Sequence, residues 1–266
     1  MKTVGVFDSG VGGLSVLRAL LAELPGVRFV YVADSAYAPY GERTVAEITE
    51  RSERITAWLR HTHHIDTLVV ACNTATALAI DSLRATHPDL PIVGVEPALK
   101  PAAAMSHTRH IGVLATRGTL NSERFARLRT QLESTASSPV HFICQPCDGL
   151  ADAIERDDVQ AQQTLCERYV VALREHAPGN MDTVVLGCTH YPFAADVLAQ
   201  LLGPNVTLVD TGIAVARRTR DVLGMSIPTG SDATPPRLLS TGDPAALSLA
   251  ANRWLGIQTR AEKLVA

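Results

Sequence analysis

Short apolar runs recur along the chain, and each ends at small or polar residues before the next helical pattern begins. The runs occupy residues 4–7, 28–33, 67–71 and 91–97 in the first half, and 110–116, 140–144, 183–187 and 206–212 in the second half. Runs of this length, bounded by turn residues and separated by helix-period segments, predict parallel strands joined by helices. The pattern therefore predicts an α/β fold with mostly parallel sheets.

The two halves of the chain repeat the same order of strands and helices. We therefore predict a duplicated unit, in which two pseudo-symmetric α/β lobes each contain a mostly parallel four-stranded sheet. We assign residues 1–97 together with 210–266 to the first lobe, and residues 98–209 to the second. We expect the end of the chain to complete the first lobe, with a proline- and glycine-rich stretch over residues 228–237, a strand over residues 237–241 and a final helix.

The third strand of each half ends on a cysteine. Cys72 follows residues 67–71, and Cys188 follows residues 183–187. Ligands of parallel sheets bind beyond the carboxyl ends of the strands, and a thiol at the start of a helix faces unpaired N–H groups that favour the thiolate. An isolated cysteine in such a place is more often a small buried apolar residue. Two cysteines in equivalent turns instead predict two reactive thiols that face one pocket, in the cleft between the lobes.

Composition narrows the range of functions. Apolar residues make up 46% and charged residues 19% of the chain, as in ordinary globular proteins. The net charge of −3 and the aromatic content of 5% disfavour nucleic acid as a partner. No run of about 18 apolar residues indicates a membrane span and no signal-peptide pattern opens the chain, so we expect a cytoplasmic protein with reduced cysteines. Lysine occurs only at Lys2, Lys100 and Lys263, which disfavours a pyridoxal phosphate cofactor.

Six short motifs, taken together, resemble the cofactor-independent glutamate racemases. They are F-D-S-G-V-G-G-L-S-V, A-P-Y-G-E-R-T, A-C-N-T-A-T, G-V-E-P-A-L-K-P-A, I-G-V-L-A-T-R-G-T and L-G-C-T-H-Y-P, and they follow the family's order along residues 4–210. The resemblance implies two α/β lobes with the active site between them, with no cofactor and no metal. It also implies a homodimeric enzyme that interconverts L- and D-glutamate and supplies D-glutamate for peptidoglycan synthesis.

Two cysteines suit this chemistry. Racemisation without a cofactor removes the Cα proton from one face of the substrate and returns a proton to the other, so it needs two bases. An unperturbed thiol has a pKa of about 8.5, and its turn environment can bring that value towards neutrality, where one thiolate and one thiol coexist. By the resemblance, Cys72 takes the proton from D-glutamate while Cys188 delivers one, and the roles reverse for L-glutamate.

Further residues are assigned by the same resemblance. Asp8 matches a residue beside the first cysteine and the substrate amine, and His190 matches a residue that assists the second cysteine. Ser9 lies in a glycine turn whose backbone N–H groups suit a carboxylate. The other matches are to substrate-binding residues, and they are Asn73, Thr74, Thr76 and Thr189 for the α-carboxylate and backbone, Pro39, Tyr40 and Gly41 for the side-chain carboxylate, and Glu155 in the second lobe.

Several of these residues have a plainer interpretation. Asp8 suits a helix N-cap before a glycine turn, Pro39–Gly41 suits an ordinary turn, and a lone His190 suits a structural role. Glu155 has the weakest match, because relatives often have Cys-Pro followed by apolar residues where this chain has Cys147-Asp148-Gly149.

Three other motifs suggest different chemistry but are incomplete. Cys144 and Cys147 form a CxxC pair without the second pair that a zinc site needs. Histidines at positions 61, 63 and 64 crowd a helix end, where solvated histidines interact favourably with the helix dipole. Gly10–Gly12 followed by Asp34 imitates part of a dinucleotide-binding fingerprint, but the third glycine is missing.

Three alternatives to a glutamate racemase remain open from the residues alone. The first is a nicotinamide-dependent oxidoreductase that uses the turn at Gly10. The second is a non-catalytic two-lobed binding protein, which gives no reason for two matched cysteines. The third is an aspartate racemase or a decarboxylase of the same superfamily, and the pocket wall formed by Pro39, Tyr40 and the second lobe decides between them and a glutamate racemase. A cell-wall precursor activates some relatives, and the short segment before the first strand disfavours such activation here.

Overall fold

The computed structural model describes residues 1–135, 139–177, 180–225 and 234–265, which fold into two compact units. One unit comprises Met1–Val95 and Gly212–Ala266, and the other comprises Glu96–Thr211. Residues 228–233 of the proline- and glycine-rich stretch lie outside the described residues.

Strands and helices alternate along most of the chain. The strands are β1 (Thr3–Asp8), β2 (Arg28–Ala33), β3 (Thr67–Val70), β4 (Ile92–Gly94), β5 (His110–Ala115), β6 (His141–Pro146), β7 (Thr183–Gly187), β8 (Thr207–Val209), β9 (Arg237–Ser240) and β10 (Glu262–Lys263). The α-helices are α1 (Leu14–Glu23), α2 (Val45–His63), α3 (Asn73–Thr86), α4 (Leu99–Met105), α5 (Arg117–Leu120), α6 (Glu123–Thr135), α7 (Leu150–Glu155), α8 (Val159–Glu175), α9 (Ala195–Leu202), α10 (Gly212–Val222) and α11 (Pro244–Leu255).

Each unit contains one parallel sheet. The strand order is β10-β9-β2-β1-β3-β4 in the first unit and β6-β5-β7-β8 in the second, and every described strand pair is parallel. The order β2-β1-β3-β4 repeats as β6-β5-β7-β8, so the predicted α/β fold with a duplicated four-strand arrangement is confirmed. Strands β9 and β10 extend the first sheet to six strands. β9 is the strand predicted over residues 237–241, and β10 was not predicted.

Local sequence explains where these elements begin and end. All residues of β1 and β3 are buried, as expected for inner strands of a parallel sheet covered on both faces. Helix α2 begins after Thr44, whose hydroxyl accepts from the Glu47 N–H while the Glu47 carboxylate accepts from the Thr44 N–H. This reciprocal capping box fixes the helix start. The helix ends at His63, and His64 after it adopts a left-handed conformation.

Apolar side chains form a core in each unit. In the first unit, residues such as Phe7, Ile48 and Leu68 share one cluster, and in the second Ile111 and Val185 share another. Within the described parts of the chain, none of the helices is both long enough and apolar enough to cross a lipid bilayer.

Candidate active site

The first cysteine turn joins β3 to α3. Cys72 is the N-cap of α3 and is 5% exposed. The Ala75 N–H donates to the Cys72 Sγ at 3.4 Å, and the thiol donates to the Ser9 Oγ at 3.8 Å. The predicted position of Cys72 at a helix N-terminus is therefore confirmed. An amide N–H of the first helical turn points at the sulfur, which is the contact that stabilises a thiolate.

Asp8 and Ser9 lie at the carboxyl end of β1, beside this turn. β1 pairs with β3 in parallel register, with Phe7 opposite Val70. Asp8 is completely buried, and its Oδ1 accepts from the Gly10 N–H at 2.8 Å and from the Ser9 hydroxyl at 3.4 Å. Two neighbouring strand ends therefore bring a buried carboxylate, a hydroxyl and a thiol to the same edge of the sheet.

The glycine turn after β1 allows this close approach. α1 begins at Leu14 with Gly13 as its N-cap, so the alternative in which Asp8 caps the helix is wrong. A Cβ added at Gly13 would lie 2.6 Å from the Asp8 Cβ and 3.1 Å from the Ala71 Cβ. Real Cβ atoms do not approach so closely, so a glycine at this position lets the helix start pack against Asp8 and the residue before Cys72.

The first turn of α3 carries three buried polar side chains, those of Asn73, Thr74 and Thr76. The Thr76 hydroxyl donates to the Val70 carbonyl at 3.2 Å and accepts from the Val95 N–H at 3.0 Å, so Thr76 ties β3 to the segment after β4. The Asn73 Nδ2 donates to the Val95 carbonyl at 3.4 Å, while its Oδ1 has no hydrogen-bond partner among the described residues. Asn73 therefore retains an acceptor for a ligand.

The loop after β2 contains Pro39–Gly41, and Tyr40–Glu42 forms a single 3₁₀ turn. Pro39 and Gly41 are half-buried, and the buried Tyr40 donates its phenol proton to the Asp34 Oδ2 at 2.6 Å. Burial raises the pKa of the Tyr40 phenol, and the charges of Asp34 and Cys72 raise it further. Tyr40 and Cys72 belong to the same cluster of buried side chains, so this loop lies near the first cysteine turn.

Asp34 is fully buried, and both of its carboxylate oxygens are occupied. The Arg51 guanidinium donates to Oδ2 from Nε at 3.0 Å and to Oδ1 from Nη2 at 2.9 Å, and the Thr241 hydroxyl donates to Oδ1 at 2.8 Å. A dinucleotide-binding fingerprint needs an acidic residue whose oxygens accept from the ribose hydroxyls. The geometry of Asp34 therefore disfavours the nicotinamide-dependent alternative.

Arg51 is a buried residue that the sequence analysis missed. It is 4% exposed and lies on α2, three residues after Ile48 and four residues before Ile55. At this spacing, Arg51 lies on the same apolar side of the helix as the two isoleucines. A charged residue on the apolar side of an amphipathic helix is unusual, because unpaired charges are rarely buried. That position in the helical pattern is the signal that points to Arg51.

The second cysteine turn follows β7 and differs from the first. Cys188 is 6% exposed, and its carbonyl accepts from the Tyr191 N–H at 3.1 Å. A 3₁₀ turn over Tyr191–Ala194 separates it from α9, so the prediction that Cys188 lies at the start of an α-helix is wrong. Pro192 lies at the start of this 3₁₀ turn, where its missing N–H would have no partner within the turn. The helix-dipole argument applies to Cys72 but not to Cys188.

His190 connects Cys188 to Glu155. The His190 Nδ1 lies 3.7 Å from the Cys188 Sγ, and its Nε2 lies 2.9 Å from the Glu155 Oε2. His190 and Thr189 are buried, and Glu155, the last residue of α7, has a side chain that is 15% exposed. Glu155, which has the weakest match to the family's motif, therefore joins one cluster with Cys188, Thr189 and His190.

The surroundings of His190 favour its protonated form. Burial alone lowers the pKa of His190, but hydrogen bonds to Cys188 and Glu155 and the charges of these two groups raise it well above the ordinary value. A protonated imidazole donates from both nitrogens. A protonated His190 can therefore donate to the Cys188 sulfur from Nδ1 and to the Glu155 carboxylate from Nε2.

The CxxC cysteines lie in a different environment. Cys144 is part of β6, Cys147 follows its end, and both are free thiols. Burial raises the pKa of both thiols, which favours the unreactive protonated form. In the described ranges, no group of three or more His, Cys, Asp or Glu side chains is arranged to hold a metal ion.

Comparisons with known proteins agree along nearly the whole chain. The Asp/Glu/Hydantoin racemase family profile matches residues 4–219. A glutamate racemase from Pseudomonas aeruginosa is 48% identical over 236 residues, which are 87% of this chain and 86% of that protein. A glutamate racemase from Ralstonia pickettii is 45% identical over 98% of this chain and 90% of its own length. Among solved structures, Escherichia coli glutamate racemase in complex with L-glutamate and the activator UDP-MurNAc-Ala has a TM-score of 0.81 and 34% identity, covering 99% of this chain and 98% of that one.

Proposed function

The chain belongs to the Asp/Glu/Hydantoin racemase family, and we propose that it is a glutamate racemase, an isomerase that interconverts L- and D-glutamate without a cofactor. The observation that carries the proposal is the pair of cysteine turns. Cys72 and Cys188 follow β3 and β7, which occupy the same place in two sheets of the same strand order. Relatives that are called glutamate racemases align with up to 98% of the chain, and this favours glutamate as the substrate.

The proposed reaction is a two-base proton transfer at Cα. One cysteine, as the thiolate, takes the Cα proton, and the other, as the thiol, donates a proton to the opposite face. The first thiolate becomes a thiol and the second thiol becomes a thiolate, so the charge of the pair does not change. We assign removal of the proton from D-glutamate to Cys72 and from L-glutamate to Cys188.

The groups around Cys72 support its role as a base. The Ala75 N–H at 3.4 Å from Sγ stabilises the thiolate. We assign Asp8 to the substrate amine, because an α-ammonium group next to a buried carboxylate remains charged and its positive charge makes the Cα proton more acidic. Ser9 lies between these two residues in the hydrogen-bond network, since its hydroxyl donates to Asp8 and accepts from Cys72.

The proposed thiolate of Cys188 is stabilised by side chains and not by a helix N-terminus. His190 supplies a proton or a positive charge next to the thiolate, and Glu155 holds the imidazole in place through Nε2. This arrangement replaces the helix N-terminus that Cys188 lacks.

The remaining site residues are assigned to substrate binding. We propose that the α-carboxylate and backbone of glutamate bind at Asn73, Thr74, Thr76 and Thr189, and that the side-chain carboxylate binds at Pro39, Tyr40 and Gly41. The unpaired Asn73 Oδ1 supports a direct ligand contact. The Thr76 hydroxyl is committed to two backbone groups, so Thr76 acts chiefly by fixing the turn.

The proposed cellular role follows from the product. D-glutamate is a building block of peptidoglycan, so we propose that the enzyme acts in the cytoplasm in cell-wall biogenesis and maintenance of cell shape. We propose that it works as a homodimer, as the family commonly does.

The test is proton NMR of the purified protein with L-glutamate in D₂O, without added cofactor, together with optical rotation. We expect the Cα proton signal to disappear while the rotation decays towards zero, because each turnover delivers a solvent deuteron to Cα. Both readouts are needed, since exchange with retained rotation indicates proton abstraction without racemisation.

Parallel samples with aspartate separate the alternatives. Activity on aspartate but not on glutamate would retain the two-base chemistry and overturn the choice of substrate. No exchange with either amino acid would overturn the racemase function itself.

A further inference from the structure

A buried ion pair anchors the loop that contains Tyr40. Asp34 receives four hydrogen bonds from three residues, with Arg51 donating twice at 3.0 and 2.9 Å, Tyr40 at 2.6 Å and Thr241 at 2.8 Å. The donors come from α2, from the loop itself and from the segment after β9. Groups that are far apart in sequence thus converge on one carboxylate.

Arg51 and Thr241 also contact the first part of the loop directly. The Arg51 guanidinium carbon lies 4.0 Å above the centre of the Tyr37 ring, which is a cation–π contact. The Ala36 N–H donates to the Thr241 hydroxyl at 3.2 Å. Asp34 precedes the loop, Tyr37 lies inside it and Tyr40 begins its 3₁₀ turn, so Arg51 and Thr241 together fix most of the path between β2 and α2.

The ion pair between Arg51 and Asp34 is better suited to fixing the orientation of the side chains than to stabilising the fold. A buried ion pair is costly to desolvate, and apolar side chains of similar volume often stabilise a fold at least as well. Arg51 also keeps a buried Nη1 without a hydrogen-bond partner among the described residues, which adds a further cost. A bidentate guanidinium, in contrast, holds a carboxylate in one orientation, which a flexible lysine does not.

We propose that Arg51 is a positioning residue, which holds Asp34 and Tyr40 so that the Pro39–Gly41 segment keeps the shape that recognises the side-chain carboxylate of the substrate. The inference rests on the proposed function, because that function supplies the substrate. Arg51 acts through Asp34 and Tyr40, and it is not itself assigned a contact with glutamate.

The inference predicts an effect on substrate binding more than on the chemical step. A loop that must be ordered on binding weakens affinity, since the free energy of ordering is subtracted from the binding energy. Loss of the bidentate contact in Arg51→Lys should raise KM for glutamate about tenfold and leave kcat within about twofold. Tyr40→Phe removes the hydroxyl that donates to Asp34, and it should also raise KM.

The test compares Arg51→Lys with Arg51→Met/Asp34→Asn and with Arg220→Met. The double variant removes both charges and so avoids leaving one buried charge unpaired. Arg220 pairs with Glu23 between α10 and α1 in the same unit, away from the loop, and so controls for general loss of stability. Steady-state kinetics gives KM and kcat, and amide hydrogen exchange of residues 35–43 reports loop order without any substrate.

We expect faster loop exchange and a raised KM in both Arg51 variants, and neither in Arg220→Met. Rescue of KM by Arg51→Lys would show that charge alone suffices and would overturn the positioning role. Unchanged loop exchange in both Arg51 variants would also overturn it, whatever the wild-type enzyme does with glutamate. If the wild-type protein does not racemise glutamate but loop exchange is faster in both Arg51 variants, the proposed function and the substrate are wrong. The anchoring of the loop by Arg51 would still stand.

Discussion

At the residue scale, the two cysteines depend on different local devices. Cys72 receives an N–H from the first turn of α3, whereas Cys188 is followed by a 3₁₀ turn and contacts His190 instead. Both devices offer a positive partial or full charge to sulfur, which is the requirement for a thiolate near neutral pH. His190 is titratable and the helix N-terminus is not, so a pH dependence in addition to that of the two thiols should arise on the side of Cys188.

Glu155→Gln should shift the pH dependence of activity. The Glu155 carboxylate is one of the groups that raise the pKa of His190, and the amide of Gln keeps the shape but removes the charge. The pKa of His190 should fall, so His190 loses its proton at a lower pH. We expect the alkaline limb of kcat/KM against pH to move to lower pH, and kcat/KM at neutral pH to fall about tenfold.

The free energy of unfolding should also depend on pH through the raised pKa of His190. The pKa of His190 is higher in the folded state than the unfolded value of about 6.5, so its stabilising effect is complete below that pH and is lost as pH rises through the folded value. Glu155→Gln should make the free energy of unfolding fall less as the pH rises, and urea unfolding at several pH values measures this. Asp152→Asn removes a charge from the same helix, where Asp152 pairs with Arg156, and should change neither profile. An unmoved alkaline limb in Glu155→Gln would contradict the assignment of that limb to His190.

Sequence could identify most of the polar site residues but not their partners. The motifs around Cys72 and Cys188 contain His190 and the threonines at fixed local positions, and the glycine-rich motif at the end of the first strand contains Asp8. The contact between Glu155 and His190 joins α7 to the turn after β7, and the partners of Asp34 come from α2 and from beyond β9. Such contacts depend on tertiary packing, which no local pattern contains.

At the element scale, the turn between β1 and α1 brings two strand ends together. The missing Cβ of Gly13 leaves room for Asp8 and Ala71, the residue before Cys72. Gly13→Ala would place a methyl group 2.6 Å from the Asp8 Cβ. The strand ends must then move apart, and displacements of about 1 Å at a reacting group can cost about a hundredfold in rate.

We therefore expect Gly13→Ala to lower kcat/KM about a hundredfold, as measured by the Cα exchange assay. Gly5→Ala, on the strand β1 that precedes this turn, is the matched control. Its Cβ would lie 2.9 Å from the Ile65 Cδ1, at the far end of a side chain that can shift. Both variants should lose stability by about 1–3 kcal/mol, but Gly5→Ala should keep activity within about twofold. Similar activity in the two variants would contradict the importance of this turn.

The elements that sequence predicted are those with strong hydrophobic patterns. β2 has the predicted bounds, because a buried parallel strand gives a continuous apolar run. β10 was not predicted, since it consists of two exposed charged residues at a sheet edge. α4 was also missed, because Pro101 near its start resembles a break, although proline is tolerated in the first turn of a helix.

At the scale of the whole molecule, the repeat is the feature that sequence revealed most directly. The repeated strand order explains why two cysteines so far apart in sequence occupy equivalent turns. The strand order within each sheet and the edge strand β10 of the first sheet required the structure. That both thiols act on one substrate remains a prediction, and it can be tested by separating them onto different chains.

Cys72→Ala and Cys188→Ala should each lose racemisation while keeping the fold, and the double variant should be no worse than either, because residues that act as one unit are not additive. Cys166→Ala, at a buried cysteine on α8, should remain active and controls for loss of a buried thiol. If one chain supplies both bases, co-expression of the two inactive single variants restores nothing. If each site takes one cysteine from each subunit of a dimer, mixed dimers contain one intact site, and activity recovers to about a quarter of the wild-type value. Recovery of that size would overturn the single-chain site, and full turnover by either single variant would overturn the two-base mechanism.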